Sequence, residues 1–224
     1  MIKHLHFTEC DSTQDILKEQ LSVLGNGHQI VVSCDHQKNG RGRGSNSWTS
    51  LPGSLCFSLN LDPHPIISLT ALEISLIITK FFEGSILSLK WPNDIWNKNQ
   101  KKCAGILIQS HQGTMITGIG LNLFSDIETF GGVYDSPFSF DKKSWSLEIA
   151  NFIIKNRYQS SELLKKDWER KCGHMGQRIN ITEGNEITEG IFSGLGEHGQ
   201  AVIKTYNGEK HIYNGSLTIQ DLNH

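Results

Sequence analysis

Paired cysteines, a charge of one dominant sign, a long apolar run and the usual nucleotide-loop motifs are all missing from this 224-residue sequence. Each absence removes a class of protein. The five cysteines stand at least 22 positions apart with no C-x-x-C, an odd and scattered set that makes a poor disulfide framework, so reduced thiols and a cytoplasmic setting are expected. The formal net charge is only -2, so no global field draws the chain to nucleic acid or to an acidic membrane surface. Positions 66–82 are the most apolar stretch, but Ser68, Thr70, Glu73, Ser75, Thr79 and Lys80 interrupt them; such a segment reads as a buried or amphipathic helix, not a membrane span. The first residues, MIKHLHFTECDSTQ, have neither the apolar core nor the cleavage pattern of a signal peptide. No G-x-x-x-x-G-K-[ST] and no dinucleotide fingerprint occurs. With 37% hydrophobic and 20% charged residues, the chain is also far from the composition of a disordered one.

What is present divides into two textures. Asp11-Ser12-Thr13 reads as a helix start, with Ser12 or Thr13 as cap and Ile16, Leu17, Leu21 and Leu24 at helical spacing; Gly25-Asn26-Gly27 ends it. A strand is expected around Ile30, Val31 and Val32, then a long surface loop over 38–46, a strand over 55–61 and a helix over 66–83. Further strands are expected at 86–90, 103–109 and 115–123, and helices near 144–157 and 160–171. Beyond Cys172-Gly173 only short β-like pieces remain, at 179–181, 187–195, 201–205 and 211–217, separated by glycine and polar turns. The expectation is an α+β domain over 1–175 followed by a compact β-barrel over 176–224.

Four short stretches can carry chemistry. Gly40-Arg41-Gly42-Arg43-Gly44, after Gln37, exposes backbone N–H groups beside two arginine forks, which suits a phosphate or carboxylate; a solvated turn-rich loop is the plainer reading. Lys90-Trp91-Pro92-Asn93-Asp94 ends a strand in a lysine, a ring and a rigid polar turn. Lys90 is a compact charge for phosphate oxygens and Asp94 can help carry a divalent ion or orient an amine, unless Trp91 is simply core and Asp94 a turn former. Lys102, just ahead of Cys103-Ala104-Gly105, can reach a bound anion or belong to a solvated hairpin. Gly118-Ile119-Gly120-Leu121-Asn122 offers glycines for close approach of a ligand and an amide for hydrogen bonding.

At these residues the sequence resembles the biotin–protein ligase family, whose members carry G-R-G-R before a tryptophan (here Trp48), then K-W-P-N-D, a lysine opening a small-residue strand, and G-I-G-x-N, in this order. The resemblance covers nearly the whole chain. It implies a class II aminoacyl-tRNA synthetase/biotin ligase-like mixed sheet flanked by helices, with a small C-terminal SH3-like β-barrel. It implies the ATP-dependent formation of biotinyl-5′-AMP and transfer of biotin to a lysine of the biotin carboxyl carrier protein of acetyl-CoA carboxylase, with magnesium (Mg2+) accompanying ATP. Ser12, Thr13 and Gln37 would hold the biotin rings. Gly40, Arg41, Gly42 and Arg43 would close over biotin and its adenylate, with Arg43 retaining that intermediate, and Trp48 would lie near the adenine. Lys90 would face the ATP phosphates, and Lys102 the biotin carboxylate and α-phosphate. Asn93, Asp94 and Asn122 would shape the nucleotide and metal side, and Gly105, Gly118 and Gly120 would let the ligand approach. Lys102, Arg43, Lys90 and Asp94 are thus the expected catalytic set, with no metal ligand named. Related enzymes are monomers or homodimers. Two departures stand out. Gly44-Ser45-Asn46-Ser47 replaces a later glycine and third arginine common in the family's loop. The ten residues before Asp11 are too few for the DNA-reading module of the repressor members, so a monofunctional form without nucleic-acid binding is expected. A lipoate or octanoyl ligase or transferase and a non-catalytic ligand-binding module are the competing readings.

Overall fold

Strands alternate their side chains between two faces, and in the first sheet both faces are covered. In this computed structural model, which describes residues 2–25, 27–158 and 160–220, the chain runs β1 (Ile2–Cys10), α1 (Thr13–Leu24), β2 (Gln29–Gln37), β3 (Ser54–Leu61), a single 3-10 turn (Ile67–Leu69), α2 (Thr70–Phe81), β4 (Leu87–Lys90), β5 (Asp94–Asn97), β6 (Lys102–His111), β7 (Thr114–Asn122), α3 (Lys142–Lys155) and α4 (Ser161–Lys171). The seven strands form one sheet in the order β1-β2-β3-β7-β6-β5-β4. β1 and β2 are parallel and every other pair is antiparallel, so the sheet is mixed. Ile30 and Val32 of β2 pack with Leu17 and Leu21 of α1, whereas Val31 between them joins the core formed by β3, α2, α3 and α4 on the other face. No helix among the described residues is long and apolar enough to cross a membrane.

The interruptions in 66–82 have structural partners. Glu73 is fully buried on α2; Arg157 Nε and Nη2 donate to its two carboxylate oxygens at 2.8 and 2.7 Å, and the Tyr158 amide adds a third bond at 2.7 Å. A fork-to-fork pair with its remaining lone pairs satisfied can sit in a core that would not tolerate a lone charge. All five cysteines are free.

After α4 come β8 (Arg178–Glu183), β9 (Glu186–Leu195), β10 (Ala201–Thr205), β11 (Gly208–Ile212) and β12 (Ser216–Ile219). Here the expected barrel is corrected. The five strands form an open sheet in the order β11-β10-β9-β8-β12, and among the described residues no pairing joins β11 to β12. The expected single strand over 211–217 is in fact the end of β11 and the start of β12, separated by Tyr213-Asn214-Gly215. A connection this short spans at most about 14 Å, so the sheet must coil until its two edges approach one another. Coiling without a closing ladder leaves it short of a barrel. The two sheets share one apolar core, in which Trp168 of α4 meets Phe192 of β9, and Gly173 donates to Leu89 O at 2.9 Å.

Two further differences concern the strands and the cap of α1. β1 and β5 have too little regular alternation to be expected as strands. Ser12 makes no side-chain cap on α1; the Gln37 side chain accepts from the Thr13 amide instead, at 2.9 Å. Asn26, expected in the turn ending α1, lies outside the described residues.

Candidate active site

Parallel pairing of β1 and β2 brings Cys10 opposite Gln37, so the turn into α1 and the start of the glycine loop leave the sheet side by side. Lys38 and Asn39 donate to the carbonyls of Cys10 and Asp11 at 2.9 and 3.0 Å. This juxtaposition assembles a neutral hydrogen-bonding group. Gln37 Oε1 accepts from the Thr13 amide and, at 3.0 Å, from Thr13 Oγ1, and Thr13 Oγ1 lies 2.7 Å from Ser58 Oγ. Gln14 donates to Leu107 O at 3.0 Å.

The loop after β2, expected as an irregular surface segment, folds as a small hairpin. Trp48 N donates to Gly40 O at 2.9 Å and Gly42 N to Asn46 O at 2.8 Å, and an isolated bridge joins Arg41 to Ser47. Its two arginines point to different parts of the fold. Arg41 Nη2 donates to Asp15 Oδ1 at 2.5 Å and Ser12 Oγ at 3.3 Å on α1. Arg43 reaches Asn93 Oδ1 at 3.4 Å, Gly215 O at 3.2 Å and the Asn214 side chain.

β6 and β7 form the floor. Their register sets Gly105 against Gly120 and Leu107 against Gly118, which strips side chains from a patch of one face. Protein groups already use part of that space: a Cβ at Gly118 would stand 2.8 Å from the Gln14 amide, and one at Gly120 would collide with the Trp48 indole. These glycines are therefore required by packing whatever ligand is present.

β4 and β5 deliver the charges. Lys90 pairs with Asp94 in register and Asp94 with Gly105. A register shift between Ile95 and Trp96 re-aims the neighbouring strand, as bulges do, and Lys102 Nζ lies 2.7 Å from Asp94 Oδ1. Lys90 Nζ sits 4.9 Å above the Trp96 ring; burial lowers its pKa, Asp94 opposes the shift, and Lys102 adds to it. Burial likewise lowers the pKa of Arg43, against the pull of Asp94. Three cations thus face one paired carboxylate, an arrangement with unspent positive potential for an anionic ligand. The Trp91–Pro92 bond is cis, and the Trp91 indole is core: it is buried and donates to Gly199 O at 3.0 Å.

These groups surround a cavity of about 900 Å³. Ser12, Thr13, Gln37, Arg41, Gly42, Arg43, Trp48, Lys90, Asn93, Asp94, Lys102, Gly105, Gly118 and Gly120 all line it. Gly40 and Asn122 are not among the lining residues. Gly40 supports the hairpin, since a Cβ there would meet Trp48 O at 2.5 Å. Asn122 is buried behind the wall, accepting from Ser54 Oγ at 2.7 Å and donating to Gly131 O at 3.3 Å. Gly131 in turn donates to Lys102 O at 2.9 Å, so Asn122 steadies the segment that fixes Lys102. Sequence reasoning missed Gln14, Leu107 and the second sheet's share of the wall, Thr182, Glu183, Gly184 and Asn214 to Leu217. Asn214-Gly215 is legible as a turn signal, but nothing local ties that turn to a cavity more than a hundred residues upstream.

Residues 7–124 match the model of the biotin/lipoate A/B protein ligase family. The chain belongs to this family. Residues 174–216 match a second model, the biotin protein ligase C-terminal domain. Among solved structures, the biotin protein ligase from Aquifex aeolicus in complex with biotin and ATP is 28% identical, with a TM-score of 0.79 over 97% of this chain and 98% of that one. The bifunctional ligase/repressor BirA of Bacillus spizizenii is 26% identical over 98% of this chain and 75% of its own length. The biotin–protein ligase of Schizosaccharomyces pombe is also 26% identical, over 83% of this chain; the match spans 36% of that larger protein.

Proposed function

We propose that this chain is an ATP-dependent biotin–protein ligase: it joins biotin and ATP into biotinyl-5′-AMP and passes the biotinyl group to a lysine of a carrier protein. The observation that carries the reading is that one cavity is lined both by uncharged hydrogen-bonding side chains (Ser12, Thr13, Gln14, Gln37) and by cations (Arg41, Arg43, Lys90, Lys102). A ring-bearing acid with an uncharged polar head would place its head against the first and its carboxylate among the second. The carboxylate then attacks the α-phosphorus of ATP and pyrophosphate leaves. Two anions must approach, and fixed ammonium and guanidinium groups lower that barrier without reorganising. Lys102 is assigned to the carboxylate and α-phosphate, Lys90 to the other phosphates, and Arg43 to retention of the adenylate. In the second step a neutral lysine amine attacks the acyl carbon and AMP departs. Asp94 is assigned to orienting that amine, which would draw it from its pairing with Lys102.

Among the described residues no group of three or more His, Cys, Asp or Glu side chains is placed to hold a metal, and the cavity wall carries two carboxylates, Asp94 and Glu183. That donor set fits magnesium arriving on the nucleotide phosphates, the usual mode for this ion, and Asp94 would help hold it. Bound there, the ion would neutralise phosphate charge. The likeness to biotin-type members extends the reading to the biotin carboxyl carrier protein of acetyl-CoA carboxylase as acceptor. It also supports residues 1–175 as the catalytic unit and 176–224 as a smaller companion unit that completes the wall.

The test is biotin-dependent ATP–pyrophosphate exchange, with lipoate in parallel and Lys102→Ala as control. Exchange is expected with biotin alone and to fall by about 100-fold or more in the variant, the scale of losing a fixed charge from a transition state. Exchange with lipoate only would move the assignment to a lipoate ligase. Exchange with neither acid, in folded protein with magnesium, would leave a binding module.

A further inference from the structure

We propose that Asn214, in the turn between β11 and β12, is a positioning residue for Arg43, so that the C-terminal sheet sets where the glycine loop's arginine points. The inference rests on the function proposed above. Arg43 is flanked by Gly42 and Gly44, and Gly44 has φ +59° with open space around it, so the loop offers this side chain little packing of its own. The acceptors that hold it come from elsewhere: Asn93 Oδ1 at 3.4 Å, Gly215 O at 3.2 Å and Asn214 Oδ1. The Asn93 bond is the longest, and that residue's amide nitrogen is committed to Ile106 O at 2.8 Å.

The turn that supplies the other two acceptors is well fixed. Asn214 Oδ1 also accepts from the Gly215 amide at 2.9 Å, which orients the side-chain amide. Gly215 has φ +132°, and a Cβ there would stand 2.6 Å from Ile181 Cγ2 and 2.8 Å from Thr182 O, so the turn rests directly on β8. Both terminal nitrogens of Arg43 are engaged by these contacts. Among the described residues, Nε–H and one Nη2 hydrogen have no such partner and can donate to an anionic ligand. Arg43 also lines both the main cavity and a neighbouring one of about 270 Å³.

The experiment compares Asn214→Ala and Asn214→Asp with the wild type. Asn214→Ala removes the acceptor; Asn214→Asp keeps an oxygen there. In the ligand-free protein, trypsin cleavage after Arg43 is expected to accelerate severalfold in Asn214→Ala and to stay near the wild-type rate in Asn214→Asp, with the same melting temperature in all three. In pyrophosphate exchange, Asn214→Ala is expected to lower kcat/KM by about tenfold, the scale of one lost hydrogen bond to a charged group. Combined with Arg43→Ala it should add almost nothing, because both changes remove one unit. Unchanged proteolysis in Asn214→Ala, or exchange losses that multiply fully with those of Arg43→Ala, would overturn the inference. A wild type inactive with biotin would sink the proposed function instead, and the cleavage rates would still decide whether Asn214 holds Arg43.

Discussion

Single residues in this protein do work that their type alone does not announce. His174 is fully buried between Trp168 and Phe192, with ring centroids 6.2 and 4.3 Å away. Its pKa is pushed down to about 3, first by burial and then by the Lys90 charge, against a small upward pull from the Leu89 backbone. The unfolded chain would hold this proton below pH 6.5 and the folded one would not, so stability from His174 is fully present above pH 6.5 and is lost as pH falls towards 3. The slope is about 1.4 kcal/mol per pH unit. A His174→Gln variant carries no such proton. The difference in unfolding free energy between wild type and variant, from urea titrations, should therefore move by about 2–3 kcal/mol in the variant's favour between pH 7 and pH 4.5. A constant difference would mean that His174 is not held neutral. His211, in contrast, bonds Glu209 at the surface.

At the scale of elements, the floor of the cavity depends on small residues in adjacent strands. Gly118 and Gly120 stand out in the sequence because glycine is costly in a strand unless something passes close to its backbone, and there a ligand is expected to approach. The approaching groups, Gln14 and Trp48, come from α1 and the loop after β2. Gly120→Ala is expected to displace the indole and to destabilise the fold by about 1–3 kcal/mol, the usual cost of overpacking, and to raise KM for biotin in the same variant. Unaltered denaturation and an unaltered KM would show that Trp48 gives way freely. Helix α1 teaches a related point. Its apolar spacing is plain in the sequence, but its capping by Gln37 depends on the parallel pairing of β1 with β2, and β1 gives no strong strand signal.

At the scale of the molecule, the two sheets are mechanically joined. One continuous core contains residues of both, including Trp168, Ile179, Phe192 and Ile203, and the Trp91–Gly199 and Arg43–Gly215 hydrogen bonds cross between them. Heat unfolding is accordingly expected as one cooperative transition, with near-ultraviolet and far-ultraviolet circular dichroism tracing the same curve. A second transition assignable to residues after 176 would contradict that coupling.

The sequence by itself determined the helices and central strands, through apolar spacing and punctuation by glycine and proline. It also supplied the candidate residues of the site, in the order in which the resemblance to biotin–protein ligases picks them out of otherwise ordinary loops and turns. Tertiary structure alone decided three things: that the C-terminal strands form an open coiled sheet, that Asn122 acts from behind the wall, and that the 213–215 turn reaches Arg43. Local pattern reports which face of an element is apolar. Closure of a sheet and contacts between residues far apart in the chain depend on how whole elements twist and pack, and no local pattern encodes that.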